Sequence, residues 1–241
     1  MTLTIAPIEW VRPPQQSRSQ KSLERILDAA EEVVAAKGFE QASVAEIVRR
    51  ARSSVGVFYA RFGEKESLLR CLHDRFCNEA FATVDRVLDP DRWQGASCGE
   101  ILSETLPFLV EVYRRRRGLI RVFIVRAAGD RQFSDRWATV NVHLATKLGT
   151  LLLARRSEME HPDPATAIEM GLQIVLGTLD MLSLFDQATW IRMSFADARL
   201  PRELTRVFLS YLGIDDLGID CVEAVGANGE ICPESAAPNN S

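Results

Sequence analysis

Two short helical segments separated by three residues constrain this chain more than any other feature. Ser43 precedes an apolar stripe of Val44, Ile47, Val48 and Ala51, and with Glu46 it forms an S-x-x-E capping box, a helix-start signature. Arg52, Ser53 and Ser54 interrupt the pattern. A second short helix is expected from Val55 to Arg61, capped by Ser54. Helices this short do not persist alone, so longer neighbours must hold both. Upstream, Leu23, Ile26, Leu27, Ala30 and Val34 keep helical spacing between about Ser17 and Lys37, where Gly38 offers a left-handed stop. Downstream, a longer helix is expected from near Glu64 to Leu88.

Two short helices joined by a tight turn and flanked by longer ones make a helix-turn-helix. The second helix of such a unit enters a DNA major groove about 12 Å wide, so its leading edge must be slim. Val55, Gly56, Val57 and Ala60 meet that demand, and Phe58 and Phe62 are spaced to anchor the opposite face. Tyr59, Arg61 and Lys65 flank the edge, where phosphates lie. Arg18 and Lys21 on the first helix add further candidate phosphate contacts. Arg49 and Arg50 read as a solvated helix face.

Beyond this unit helical periodicity continues and strand-like alternation is nearly absent. The fold class is all-α: an N-terminal three-helix helix-turn-helix DNA-binding domain and a C-terminal helical domain, about nine helices in all. Further helices are expected at 100–116, 118–128, 133–157, 165–186 and 201–212, with Gly118, Gly129, the stretch from His161 to Pro164, and Pro201 as breaks. The expected division is a flexible arm at 1–16, the reader at 17–64, the helical body at 65–212 and a weakly ordered tail at 213–241.

Charge follows this division. Residues 1–75 carry 12 Lys/Arg against 10 Asp/Glu, whereas the remainder carries 17 against 23. A basic front is what a DNA reader attached to an acidic body would show. The five cysteines are odd in number and contain no C-x-x-C pair, so neither a disulfide scaffold nor a zinc site is expected. No apolar run approaches the roughly 20 residues needed to span a bilayer. These features point to a cytoplasmic protein with no metal, no cofactor and no membrane association.

The run from Ala51 to Leu68 resembles the signature of the TetR/AcrR (tetracycline-repressor) family, in which Ala51, Ser54, Gly56, Tyr59, Phe62, Lys65 and Leu68 fall in register. Ile26, Ala29, Ala30, Gly38, Phe39, Ser43 and Ile47 match its upstream pattern. The resemblance covers about residues 18–70. It implies a homodimer that binds a palindromic operator on double-stranded DNA, commonly as a repressor released by a small-molecule effector. By position it implies phosphate contacts from Ser43, Tyr59, Arg61 and Lys65, with Ser54, Val55, Gly56 and Val57 facing the groove. The valines can touch thymine methyls but cannot hydrogen-bond to base edges. Arg52 departs from the pattern by standing where the family has glycine; it implies strain or an altered turn, and a cation beside phosphate.

In the body, the apolar helix at 165–186 and the final helix at 201–212 suit the family's four-helix dimer interface. Candidate pocket residues are Phe108, Tyr113, Phe123, Arg126, Trp137, His143, Gln173 and Met181. The Arg114–Arg117 run reads as a solvated helix end. Catalytic fingerprints are absent and His73, His143 and His161 are isolated in sequence, so an enzyme is not expected. The competing function is a ligand-independent DNA-binding architectural or cell-division factor on the same fold.

Overall fold

The computed structural model describes residues 18–185 and 193–214. The arm expected at 1–16 and nearly all of the tail expected at 213–241 lie outside the described residues. Among those described, the elements are α1 (Arg18–Lys37), α2 (Val44–Arg50), α3 (Val55–Phe62), α4 (Lys65–Val87), a 3₁₀ turn (Pro90–Trp93), α5 (Cys98–Ala127), α6 (Arg131–Leu153), a second 3₁₀ turn (Arg156–Glu158), α7 (Pro164–Phe185) and α8 (Leu200–Leu212). This is the expected all-α class, with eight α-helices rather than about nine.

The difference arises at Gly118. Helices expected at 100–116 and 118–128 are one continuous α5, and Gly118 serves packing instead of termination. There α5 crosses α1 so closely that a Cβ on Gly118 would lie 2.2 Å from the carbonyl oxygen of Ala35. Mid-helix glycine costs up to about 1 kcal/mol relative to alanine, and here it lets two helices meet backbone to side-chain-free backbone. The Arg114–Arg117 run consequently lies mid-helix, not at a helix end, and its members diverge. Arg116 reaches Glu79 on α4 at 2.9 Å, Arg115 pairs with Glu111 at 2.5 Å, and Arg114 donates to the carbonyl of Phe195 at 2.8 Å.

Capping sets the helix starts, with one redistribution. Ser43 caps α2 by accepting from the Glu46 amide at 3.2 Å, but the Glu46 carboxylate turns to Lys37 Nζ at 2.6 Å and leaves the box half made. A complete box stands at the start of α5, where Ser97 Oγ accepts from the Glu100 amide at 3.2 Å and Glu100 Oε2 accepts from the Ser97 amide at 2.7 Å.

Ile26, Ala30, Val34, Ile47, Phe58 and Leu68 are buried together and join α1–α3 to the start of α4. Helix α5 runs through the body against α1, α6, α7 and α8, and α4 lies along α6. By length and composition α7 is apolar enough to cross a membrane, but Glu169 and Asp180 interrupt its apolar run, and Leu172, Val175, Leu179 and Leu182 are buried within the body. At Gly171 the Phe208 ring of α8 occupies the space of a side chain, 2.2 Å from where a Cβ would stand.

His73 on α4 sits between the rings of Phe133 at 4.5 Å and Phe123 at 4.8 Å, its Nε2 3.6 Å from Cys77 Sγ. Burial holds its imidazole down to about 4. The same burial pushes the Cys77 thiol up to about 11, and separate burial beside Glu158 pushes Cys98 to about 12, so neither offers a thiolate at neutral pH.

Two outcomes follow from this packing. Gly118→Ala should force α1 off α5 and destabilise by about 1–3 kcal/mol, lowering Tm by roughly 2–10 °C in a thermal melt. An unfolded histidine takes up its proton near pH ~6.5, whereas folded His73 waits until about 4. The unfolded state therefore binds more protons in that window, and stability falls as pH is lowered through it, by on the order of 3 kcal/mol. His73→Phe should flatten that part of the Tm-versus-pH curve relative to the wild type.

Candidate nucleic-acid interface and effector cavity

The turn between α2 and α3 closes as a Schellman motif. The Ser53 amide donates to the carbonyl of Val48 at 2.8 Å and the Arg52 amide to Arg49 at 3.2 Å. That geometry puts Arg52 at φ +52°, the lone positive-φ residue other than glycine among those described. The strain expected from its replacing glycine is present, and the arginine side chain is exposed.

Ser54 then caps α3, accepting from the Val57 amide at 3.2 Å. Phe58 and Phe62 are buried with ring centroids 5.0 Å apart and hold the helix from behind, as their spacing predicts. The opposite edge is bare: Val55 is 45% exposed, Val57 42% and Tyr59 50%, with Gly56 and Ala60 exposed between and beyond them. Nothing lies close to Gly56 except its own cap, so the edge is slim as well as open. Lys21, Ser43, Arg49, Ser54 and Arg61 are also exposed, and Lys21, Arg49 and Arg52 have no ion-pair partner among the described residues. The side chain of Arg18 lies outside the described residues.

Lys65 is placed differently from the other cations. Its ammonium donates to the carbonyls of Phe39 at 2.6 Å and Glu40 at 3.2 Å and sits 4.4 Å from the Phe39 ring centroid. It fastens the start of α4 to the α1–α2 loop. Arg126 works beside it, reaching Glu40 at 2.9 Å and Glu66 at 3.0 Å. Arg126 is therefore an interhelical tie rather than a pocket residue. Arg75, sunk between α4 and α1, meets Glu24 at 3.1 Å, Asp28 at 2.8 Å and Glu31 at 2.5 Å.

An apolar cavity of about 90 Å³ lies between α4, α5, α6 and α7. Of the sequence candidates it brings together Phe108, Tyr113 and Trp137. The others fall elsewhere. Phe123 packs beneath, against His73 and Phe76; His143 turns to Asp85 at 2.9 Å; Gln173 is exposed on α7, and Met181 is half-buried away from the cavity. Sequence reasoning missed the α4 wall of Phe76, Ala80, Thr83, Val84 and Val87, which follows the i, i+4, i+7, i+8 spacing of one helix face, and it missed Asn141 on α6.

Residues 26–72 match the family model of bacterial regulatory proteins, tetR family. Over 72 residues the chain is 33% identical to the HTH-type transcriptional regulator YvdT of Bacillus subtilis, spanning 29% of this chain and 37% of that one. It is 35% identical over 60 residues to the A-factor receptor protein of Streptomyces griseus, spanning 25% and 22%. The chain thus aligns with well under two thirds of either relative. Among solved structures it is similar to a TetR-family transcriptional regulator from Mesorhizobium loti, with TM-score 0.60 and 19% identity over 81% of this chain and 98% of that one. It is likewise similar to the FadR regulator of Bacillus subtilis solved with stearoyl-CoA, with TM-score 0.58 and 18% identity over 78% and 98%. At those identities the structural likeness speaks for the fold. The likeness to the tetR family of bacterial regulatory proteins in sequence is thus carried by the helix-turn-helix region, residues 26–72.

Proposed function

We propose that this protein is a cytoplasmic, homodimeric, ligand-responsive transcriptional regulator, acting as a repressor, that holds a palindromic operator and releases it when a small molecule occupies the cavity. The observation carrying this reading is the bare edge of α3, with Val55, Gly56 and Val57 exposed in front of a buried Phe58–Phe62 anchor and an exposed Arg52 beside it. A helix presented that way fits a major groove and leaves the flanking cations for phosphates. Arg18, Lys21, Ser43, Arg52, Tyr59 and Arg61 are the proposed backbone contacts, and Ser54, Val55, Gly56 and Val57 the groove face. Lys65 belongs with them only if its ammonium leaves the loop carbonyls.

Dimerisation is supported by exposed apolar side chains on the last two helices. Met170 and Ile174 on α7 and Val207 and Tyr211 on α8 stand exposed at one-turn spacing, with Gly177 open between helices' reach. A two-fold axis along that face would pair both helices with their mates and set two α3 helices toward one side of a duplex. Operator half-sites one turn apart require those helices about 34–36 Å from each other.

Release follows from α4, which forms a wall of the cavity and joins the body to the reader. The cavity of about 90 Å³ is smaller than the ~150 Å³ cavity that accepts benzene. A larger ligand must part its walls, and displacing α4 shifts α3. A coupling of ~1–3 kcal/mol is the usual range for such linkage.

Duplexes retained by the purified chain from a random pool should converge on a palindrome, and no enrichment over random sequence in dilute buffer would refute the reading. Tyr59→Ala should weaken binding to that palindrome while sedimentation shows the dimer intact. Arg52→Gly should separate two effects: relief of positive φ raises Tm by an amount equivalent to about 1 kcal/mol, while the log–log salt slope of DNA binding falls by about 0.9 per protomer.

A further inference from the structure

We infer that the cavity between α4, α5, α6 and α7 takes an uncharged, mainly apolar molecule, oriented by one hydrogen bond to Asn141, and discriminates against carboxylates and other ions of equal length. This rests on the reading of the cavity as an effector site and adds the chemistry of what enters it.

None of the nineteen described residues lining the cavity is charged. The residues whose charge might have served an ionic ligand are committed outside it: Arg126 to Glu40 and Glu66, and His143 to Asp85. An ion brought into such a space finds no counter-charge and loses its water, a cost of several kcal/mol.

The polar atoms of the lining narrow the choice further. Thr83 Oγ1 donates to the Glu79 carbonyl and Thr105 Oγ1 to the Ile101 carbonyl, each at 2.7 Å along its own helix. The Tyr113 hydroxyl donates to Asp180 Oδ1 at 3.0 Å. These three have given away their protons. Burial raises both the Tyr113 hydroxyl and the Asp180 carboxyl from their ordinary values. Asp180 stands behind the wall and outside the lining, its carboxyl raised toward the neutral form by burial and bonded by Tyr113, so it repels an anion and offers a cation no direct contact. The Asn141 amide and Trp137 Nε1 have no hydrogen-bond partner among the described residues, and they stand one helical turn apart on α6. A single hydroxyl, ester or carbonyl on an otherwise hydrocarbon ligand meets that pair. A cavity of about 90 Å³ must open for a chain or a fused ring system alike, and a slim chain parts its walls by the smaller amount.

The test compares three molecules of one chain length on the full chain: decanol, decanoate and decyltrimethylammonium, all below their micelle concentrations. Binding is read by thermal shift and by tryptophan fluorescence, with Trp137→Phe assigning the signal. Decanol should raise Tm and bind at least about tenfold tighter than either ion. Asn141→Lys, which supplies a cation on α6, should shift the preference toward decanoate, and its folding is checked by its own melt. Decanoate or the ammonium binding the wild type as tightly as decanol overturns the inference. So does a series of alcohols from hexanol to dodecanol that leaves Tm unmoved. DNA retention is measured in the same samples. Loss of selectivity with DNA binding intact removes the cavity chemistry alone, whereas selective decanol binding by a chain that ignores DNA upholds it and refutes the regulator.

Discussion

The closeness of α1 to α5 governs what the rest of the molecule can do. One face of α1 sends Ile26, Ala30 and Val34 into the core beneath α3, and its C-terminal end lies on Gly118 with no side chain between. A carboxylate row, Glu24, Asp28 and Glu31, faces Arg75 of α4 at one-turn intervals. Three carboxylates around one guanidinium would be over-charged alone. Arg116 offsets them, 3.8 Å from Glu31 and 2.9 Å from the buried Glu79. The α3 edge is thus referred to the body through a backbone contact and a shared ion network, with α1 as the common part.

That network limits which motions are affordable. Stripping a partner from a buried guanidinium such as Arg75 costs about 3–5 kcal/mol, which exceeds the ~1–3 kcal/mol of ordinary allosteric coupling. On the proposed reading, displacement of α4 by a cavity occupant would therefore leave Arg75 and its carboxylates together. The front of α4 would then move with α1, α2 and α3 as one body, yielding beyond Arg75, where Phe76, Ala80 and Thr83 line the cavity. The strain of that movement falls on the α1–α5 contact and on the exposed ties of Arg126 to Glu40 and Glu66, which are weaker for being solvated.

The helix-turn-helix was readable because its determinants are local. A cap at Ser54, a phenylalanine pair one turn apart and a run of small residues each act within a few positions, and no distant partner overrides them. Where a distant group competes, reading fails: Lys37 takes the Glu46 carboxylate from its expected box. Gly118 shows a different blindness, since the glycine that ends one helix and the glycine that admits another look alike in sequence. The cavity was half legible for a related reason. Periodicity finds the buried face of a helix without saying whether it meets side chains or a void, so Tyr113 and Trp137 were found while Phe123, equally apolar, is core. His143 drew attention by standing among apolar residues, yet it lies on the side of α6 that faces Asp85.

On the proposed reading, the poverty of the α3 edge makes this rigidity necessary. Valine side chains offer methyl contacts and no donors or acceptors, so each base pair is discriminated weakly by direct contact. What remains is the sequence-dependent shape of the duplex and the distance between two readers, and both are sensed only by a protein that holds its own geometry. A flexible reader with this edge would bind DNA through Arg52 and its neighbours without choosing among sequences. Arg52 itself shows where stability was yielded: a positive-φ position filled by a cation instead of glycine, beside the proposed groove face and without an ion-pair partner among the described residues. The strain is tolerable because Val48 and Arg49 fix the turn by two backbone hydrogen bonds, and because Phe58 secures α3 whatever the turn costs.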